Sequence, residues 1–128
     1  MDINGLRSLV MPALETFVEE DFHVLLASAS TEDGFVIGHK NAATVDVDDD
    51  KVAAISSSLL SLAEASVDGI RKGRFKRTII ESDAAHLLIV RGSLRKTPLV
   101  FTVVASEKAT LAHTLYLTSR LKEKVAGL

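Results

Sequence analysis

The chain has 128 residues, of which 47% are hydrophobic and 25% are charged, and its formal net charge is -2; we expect one globular domain over residues 1–128, without a global electrostatic preference for nucleic acid or membrane surfaces. No cysteine is present, which excludes disulfides and thiolate metal sites and favours a reducing, cytoplasmic location. The N-terminal residues lack a basic leader, and no apolar run reaches about 18 residues, so neither a signal peptide nor a membrane span is expected.

The first half of the chain predicts a helix and a β-hairpin ahead of a second helix. Apolar residues recur at helical spacing over Ile3–Val18, which predicts a first helix that is either kinked or divided at Pro12. Two apolar runs, Phe22–Ala29 and Phe35–Lys40, flank Asp33-Gly34. Asp-Gly between two such runs predicts a hairpin, because the turn requires positive φ.

The second half of the chain predicts three strands and a closing helix. The strands are placed at Phe75–Ser82, His86–Arg91 and Leu99–Ala105, with a basic loop at Arg91–Lys96. The first of them alternates imperfectly, as an edge strand does, and the last is the most continuously apolar, so it is placed centrally. The final helix is expected over Lys108–Ala126. The order α-β-β-α-β-β-β-α predicts a three-layer α+β fold with a five-stranded mixed or antiparallel sheet.

The second helix, predicted over Val52–Ile70, shows two distinct faces. A wide apolar arc is expected to face the sheet, and its members are Val52, Ile55, Leu59, Leu60, Leu62, Ala63, Val67 and Ile70. The opposite face carries a stripe of small side chains, Ala54, Ser58, Ser61 and Ala65. A helix facing water would normally carry better helix formers there, such as Lys and Glu. We therefore predict that the small stripe packs against a second copy of the chain; a solvent face rich in Ser and Ala is the alternative.

The two ends of this helix carry opposite charges. The approach holds Asp46, Asp48, Asp49 and Asp50, and the exit holds Arg71, Lys72, Arg74, Lys76 and Arg77. Two antiparallel copies would bring unlike ends together, as a two-fold interface requires. The strand that follows could pair with its own copy, so Arg77 and Ile79 are assigned to the dimer interface. Arg71, Lys72 and Arg74 are assigned to docking of an acidic protein partner.

No catalytic constellation is found in the sequence. The acidic run at Asp46–Asp50 lacks the glycine and the distal glutamate of an EF-hand loop, so helix capping is favoured over a Ca²⁺ or Mg²⁺ site, and no metal is predicted. The four histidines are scattered, and neither a G-x-S-x-G nor a phosphate-binding G-x-x-x-x-G-K-[ST] motif occurs. We expect no cofactor and no enzymatic activity.

Four segments together resemble the Roadblock/dynein light chain domain family. They are LLASASTEDGFVIG, AAISSSLLSLAEA, TIIESDAAHLLIV and LVFTVVASEKATLAHTLYLTSRL. The resemblance covers roughly residues 4–126 and implies a profilin-like fold. It also implies dimers, with itself or a related chain, built on the second helix and third strand, and a role as scaffold or regulator of Ras-like GTPases or as a dynein accessory; bacterial members include regulators of the gliding-motility GTPase type. Two alternatives stay open: a small-molecule sensor module, and a nucleic-acid binder that uses the basic residues around Phe75.

Overall fold

The structure is a computed structural model, and it describes residues 2–71 and 73–128. Lys72, one of the predicted partner-docking residues, lies outside these ranges. The helices and strands follow the predicted order, and their bounds are α1 (Ile3–Glu20), β1 (Val24–Ser30), β2 (Val36–Asn41), α2 (Asp49–Ile70), β3 (Arg77–Glu81), β4 (Ala85–Leu94), β5 (Thr97–Ser106) and α3 (Leu111–Ala126).

The five strands form one sheet in the order β2-β1-β5-β4-β3. Every neighbouring pair is antiparallel. The most continuously apolar strand, β5, lies at the centre, and β3 lies at an edge, as the sequence predicts. The fold is therefore α+β with an antiparallel sheet.

The helices cover the sheet from two sides. On β5, Phe101 and Val103 belong to the core that α1 and α3 close, whereas Val100 belongs to a second, smaller core under α2. Side chains alternate between the two faces of a strand, so α1 and α3 lie on one face and α2 lies on the other. This confirms the three-layer arrangement. No helix in the described ranges combines the length and apolarity that a membrane crossing requires.

Three local predictions need correction. The prediction of a basic loop over Arg91–Lys96 is wrong, because β4 continues to Leu94. The chain turns only at Arg95 and Lys96, whose φ angles are 48° and 69°. Positive φ at both positions is typical of the turn in a two-residue β-hairpin. Arginine and lysine do not favour positive φ, so the sequence does not indicate this turn. Phe22 lies ahead of β1 with 92% of its surface exposed. Finally, α1 is one helix that includes Pro12, so the alternative in which it is divided there is wrong.

Gly38 of β2 determines how closely α1 approaches the sheet. A Cβ built at this glycine would lie 2.9 Å from both Met11 Sδ and Val10 Cγ1 and 3.0 Å from Leu14 Cδ1. Real Cβ atoms essentially never lie within 3.0 Å of such neighbours, so a side chain here would displace the side chains of Val10 and Met11. The absent side chain lets α1 lie directly on the edge strand.

Replacing this glycine by alanine is expected to destabilise the fold by roughly 1–3 kcal/mol, because the added methyl group overpacks the contact between α1 and β2. Gly69→Ala is the matched control: a Cβ at Gly69 meets nothing within 4 Å, and alanine is more favourable than glycine in a helix by about 0.5–1 kcal/mol. Chemical denaturation at equal protein concentration measures both variants. Equal unfolding free energies for Gly38→Ala and the unmodified protein would contradict the close approach.

Candidate functional site

The outward face of α2 combines the predicted small stripe with large apolar side chains. Ala54, Ser58, Ser61 and Ala65 are all exposed in the single chain. Ile55, Leu62 and Ile70 are also exposed, at 44%, 65% and 66% of their surface. The prediction that Ile55 and Leu62 face the sheet is therefore wrong, whereas Ile70 points in the same direction as the buried Val52 and is exposed at the end of the helix. The face is considerably more apolar than its small residues alone suggest.

A buried pair of hydroxyl groups explains the error. The side chains that α2 buries on the sheet are Val52, Ala53, Ser56 and Leu60. Ser56 Oγ lies 2.5 Å from Thr102 Oγ1 of β5, so each polar group satisfies the other in the core. Because serine and alanine occupy sheet-facing positions, the true buried face is rotated away from the arc that hydrophobicity predicts.

The β1–β2 hairpin is tied to α2 by polar contacts. Ser57 Oγ donates to the main-chain carbonyl of Glu32 at 2.8 Å. Arg91 of β4 lies 3.0 Å from the Glu32 carboxylate and also pairs with Glu64 of α2. Gly34 adopts φ 95° at the turn, a conformation that glycine tolerates well. One arginine thus joins a loop, a strand and a helix, and nothing in the sequence pattern indicates these contacts.

Arg91→Met should loosen the hairpin with little effect on global stability. The side chains of Arg91, Glu32 and Glu64 are 41%, 41% and 39% exposed, so removal of both ion pairs should cost less than about 1 kcal/mol. Locally, we expect faster amide hydrogen exchange at residues 31–35. The control is Arg95→Met, because Arg95 bonds the carbonyl of Leu128 instead. Unchanged exchange in the hairpin would mean that Arg91 does not position it.

The β3 strand presents main-chain groups at the edge of the sheet. The N–H of Ser82 donates to the carbonyl of Ala85 at 2.8 Å. Since antiparallel strands alternate inward and outward groups, the main-chain groups of Arg77, Ile79 and Glu81 point away from β4. In residues 2–71 and 73–128, no side chain donates to or accepts from these groups. We call Arg77–Glu81 the open edge.

The two predicted interface surfaces are neighbours in the fold. The α2 helix contacts β3. On the open edge, the side chain of Arg77 is exposed and Ile79 is 39% exposed. The α2 face and the open edge therefore lie next to each other, although Arg77 is paired with Val90 of the core under α1 and α3, so the side chains of Arg77 and Ile79 lie on that side of the sheet.

The basic exit of α2 is exposed, but its aromatic residue is not free to bind bases. Arg71 ends the helix at φ 51°, with its N–H bonded to the carbonyl of Val67 at 3.0 Å. Arg71 and Arg74 are exposed, and within the described ranges neither forms an ion pair. Phe75 packs against the small core that contains Leu60. Because base stacking requires an accessible ring, this packing disfavours the nucleic-acid alternative.

Two further carboxylates of the described residues serve the ends of helices. Asp49 accepts the N–H of Asp50 at 2.7 Å in the first turn of α2, where acidic groups suit the helix dipole. The pKa of Asp21 is raised by partial burial, but hydrogen bonds from His23 N–H and His113, with the charges of both histidines, lower it more, so it lies below its ordinary value. Asp21 thereby anchors the end of α1 to α3.

A groove of about 540 Å³ lies between α1 and α3. Phe17, Leu117 and Leu121 are its apolar lining, and Glu20, Arg120, Glu123 and Lys124 are the charged residues around it. It lies on the opposite face of the sheet from α2, and it opens to solvent between the two helices. The sensor alternative requires an enclosed apolar pocket, which this groove is not.

Comparisons with known proteins give one consistent result. A family model, the Roadblock/LC7 domain, matches residues 23–93. A structure of gliding protein mglB from Thermus thermophilus aligns with TM-score 0.78 at 19% identity and covers 94% of this chain and 88% of that chain. A Roadblock/LC7 domain from Streptomyces avermitilis aligns with TM-score 0.72 at 25% identity, covering 88% and 91%.

The profilin-like expectation is confirmed as well. Profilin II from Acanthamoeba castellanii aligns with TM-score 0.63 at 15% identity, covering 92% of this chain and 97% of that chain. No protein of curated function matches the sequence significantly.

Proposed function

The chain belongs to the Roadblock/LC7 domain family, and on that premise we propose that it is a homodimeric, non-enzymatic regulator or scaffold that binds a Ras-like small GTPase. Residues 1–128 act as one Roadblock domain, in the cytoplasm, where such GTPases work. The observation that carries the proposal is the surface formed by the outward face of α2 and the open edge. Exposed apolar patches and unpaired strand edges are uncommon on monomeric proteins and often mark interaction sites.

The dimer interface consists of Ala54, Ser58, Ser61 and Ala65 on α2 and Arg77 and Ile79 on β3. Two α2 helices meet through the small side chains, and the exposed Ile55 and Leu62 contribute the apolar area that a stable contact needs. Two open edges meet as antiparallel strands. Both contacts are self-complementary, as a two-fold interface must be.

The register of the paired edges follows from their outward groups. With the two-fold axis at Ile79, the main-chain groups of each Ile79 bond those of the other copy, because they point outward. Arg77 then lies opposite Glu81 of the second copy, and Glu81 opposite its Arg77. The pairing thus places unlike charges across the interface twice.

Arg77→Glu is expected to weaken the dimer roughly 10- to 100-fold, because two cross-strand attractions become repulsions of about 1 kcal/mol or less each. The single variant Glu81→Arg should weaken it similarly, and the double variant Arg77→Glu/Glu81→Arg should restore it. Analytical ultracentrifugation at several concentrations gives the dissociation constants. Lys96→Glu is the control, since Lys96 lies in the β4–β5 turn.

A dimer that none of these substitutions weakens would mean that the register is wrong. A chain that sediments as a monomer at every concentration would contradict the homodimer itself.

The GTPase docks through the basic exit of α2, at Arg71, Lys72 and Arg74. Arg71 and Arg74 are exposed and lack ion-pair partners in the described ranges, so they are available to acidic groups of a partner. Such rim charges chiefly raise the association rate and set specificity. The protein changes the GTPase by holding its mobile segments, since we assign no catalytic residue to this chain.

The test mixes the purified protein with each Ras-like GTPase encoded in the same genome, loaded with GDP or with a non-hydrolysable GTP analogue. We expect one GTPase to bind, with a preference for one nucleotide state. Arg71→Glu/Arg74→Glu should lower its affinity roughly tenfold or more, with a reduced salt dependence. Lys108→Glu, in the turn before α3, should leave the affinity unchanged. Absence of binding and of any change in GTP hydrolysis for every GTPase would refute the proposal.

A further inference from the structure

The two edges of the sheet are treated differently by the fold. At the outer strand β2, a β-bulge interrupts the pairing: Ala29 pairs with Gly38 and Ser30 with Val36, so that Ile37 has no opposite residue on β1. Bulges at an edge disrupt the regular ladder that a further strand would need. The open edge of β3 has continuous one-to-one register with β4 over Arg77–Glu81.

At this bulge, an arginine side chain donates a hydrogen bond to a main-chain carbonyl that points away from β1. Arg7 Nε donates to the Ile37 carbonyl at 3.0 Å, from the first turns of α1. Arg7 reaches the strand because α1 lies so close to β2, which the missing side chain of Gly38 permits. Arg7 is one helical turn ahead of Met11, whose sulfur would contact a Cβ at Gly38.

The far end of β2 is covered by its own connection to α2. Asn41 Nδ2 donates to the carbonyl of Val47 at 3.1 Å, which folds the connecting segment along the end of the strand. His39 lies between the two covered positions, and its Nε2 is 2.8 Å from Asn41 Oδ1. We call Val36–Asn41, with the Arg7 side chain on it, the closed edge.

We propose that Arg7 closes the β2 edge against a second copy of this chain and thereby limits assembly to one interface per protomer. The inference rests on the proposed dimer for its biological meaning. A protomer that pairs through the open edge alone forms a finite dimer. A protomer that pairs through both edges has two independent two-fold contacts, and these generate an open chain of subunits.

The additional interface that Arg7 prevents would form by main-chain hydrogen bonding between two β2 strands. Without Arg7, the Ile37 carbonyl would lose this donor at the edge of the sheet, beside the outward main-chain groups of His39. Another copy of β2 supplies N–H donors to such acceptors. The bulge alone leaves the rest of the strand available, so the arginine is the component whose removal exposes the edge.

The experiment compares Arg7→Met with the unmodified protein by sedimentation velocity and light scattering over a wide concentration range. Methionine keeps the aliphatic stem but has no donor. We expect the weight-average mass of Arg7→Met to rise with concentration to about twice that of the unmodified protein or more, since chains extend without closure. Arg95→Met is the matched control, because Arg95 Nε also donates to a main-chain carbonyl, that of Leu128, but away from β2.

Two further variants keep the result interpretable. Arg7→Ala also removes the guanidinium donor, and alanine is a strong helix former suited to this exposed position of α1. It therefore repeats the test if Arg7→Met folds poorly. His39→Pro in the Arg7→Met background removes an outward N–H from the edge strand, where proline is tolerated, and should return the mass to that of the unmodified protein. Growth that persists in this double variant would overturn the assignment of the contact to β2.

The outcomes separate this inference from the proposed dimer. If the unmodified protein is a dimer and neither Arg7 variant grows, the closed edge is overturned and the dimer stands. If the unmodified protein is a monomer but Arg7→Met associates, the dimer fails and the closed edge stands. In the Arg77→Glu background, Arg7→Met is expected to form pairs through β2 in place of extended chains.

Discussion

The main-chain hydrogen-bonding groups at the two edges of the sheet determine where a further strand can pair with this molecule. Each edge of an antiparallel sheet carries donors and acceptors that a further strand can satisfy. The fold covers one edge from within, by the Arg7 bond to Ile37 and the β2–α2 connection. At the other edge it leaves the groups of Arg77, Ile79 and Glu81 facing outward. This difference between the two edges supports the proposed dimer.

The outward face of α2 adds exposed apolar area beside the open edge. Helices that cover a sheet normally bury their large apolar residues and expose charged ones. Here Leu60 is buried on the sheet, whereas Ile55 and Leu62 point outward beside small side chains. The sheet-facing side of α2 can include a serine because the hydroxyl groups of Ser56 and Thr102 bond each other in the core. The apolar residues that the sheet does not use are available to a second copy.

The sequence predicts the elements and their order well, because those depend on local periodicity and on turn residues. The Asp33-Gly34 hairpin, the central position of β5 and the edge position of β3 were all readable in this way. The rotation of α2 was not, since a buried serine contributes nothing to an apolar pattern. Arg91 and Arg7 were equally hidden: their partners lie 27 and 30 residues away in the chain or further, and no spacing rule connects them.

The segment between α2 and β3 joins the two proposed activities physically. Arg71 ends the helix and Arg77 begins the open edge, so the residues assigned to GTPase docking and those assigned to the dimer are separated by a few peptide units. Phe75 between them packs under α2 and fixes the path of the chain. In the proposed dimer, a GTPase bound at Arg71 and Arg74 therefore contacts a segment whose other end lies in the paired edge strands. The proposed docking site and the proposed pairing site thus share one short stretch of backbone.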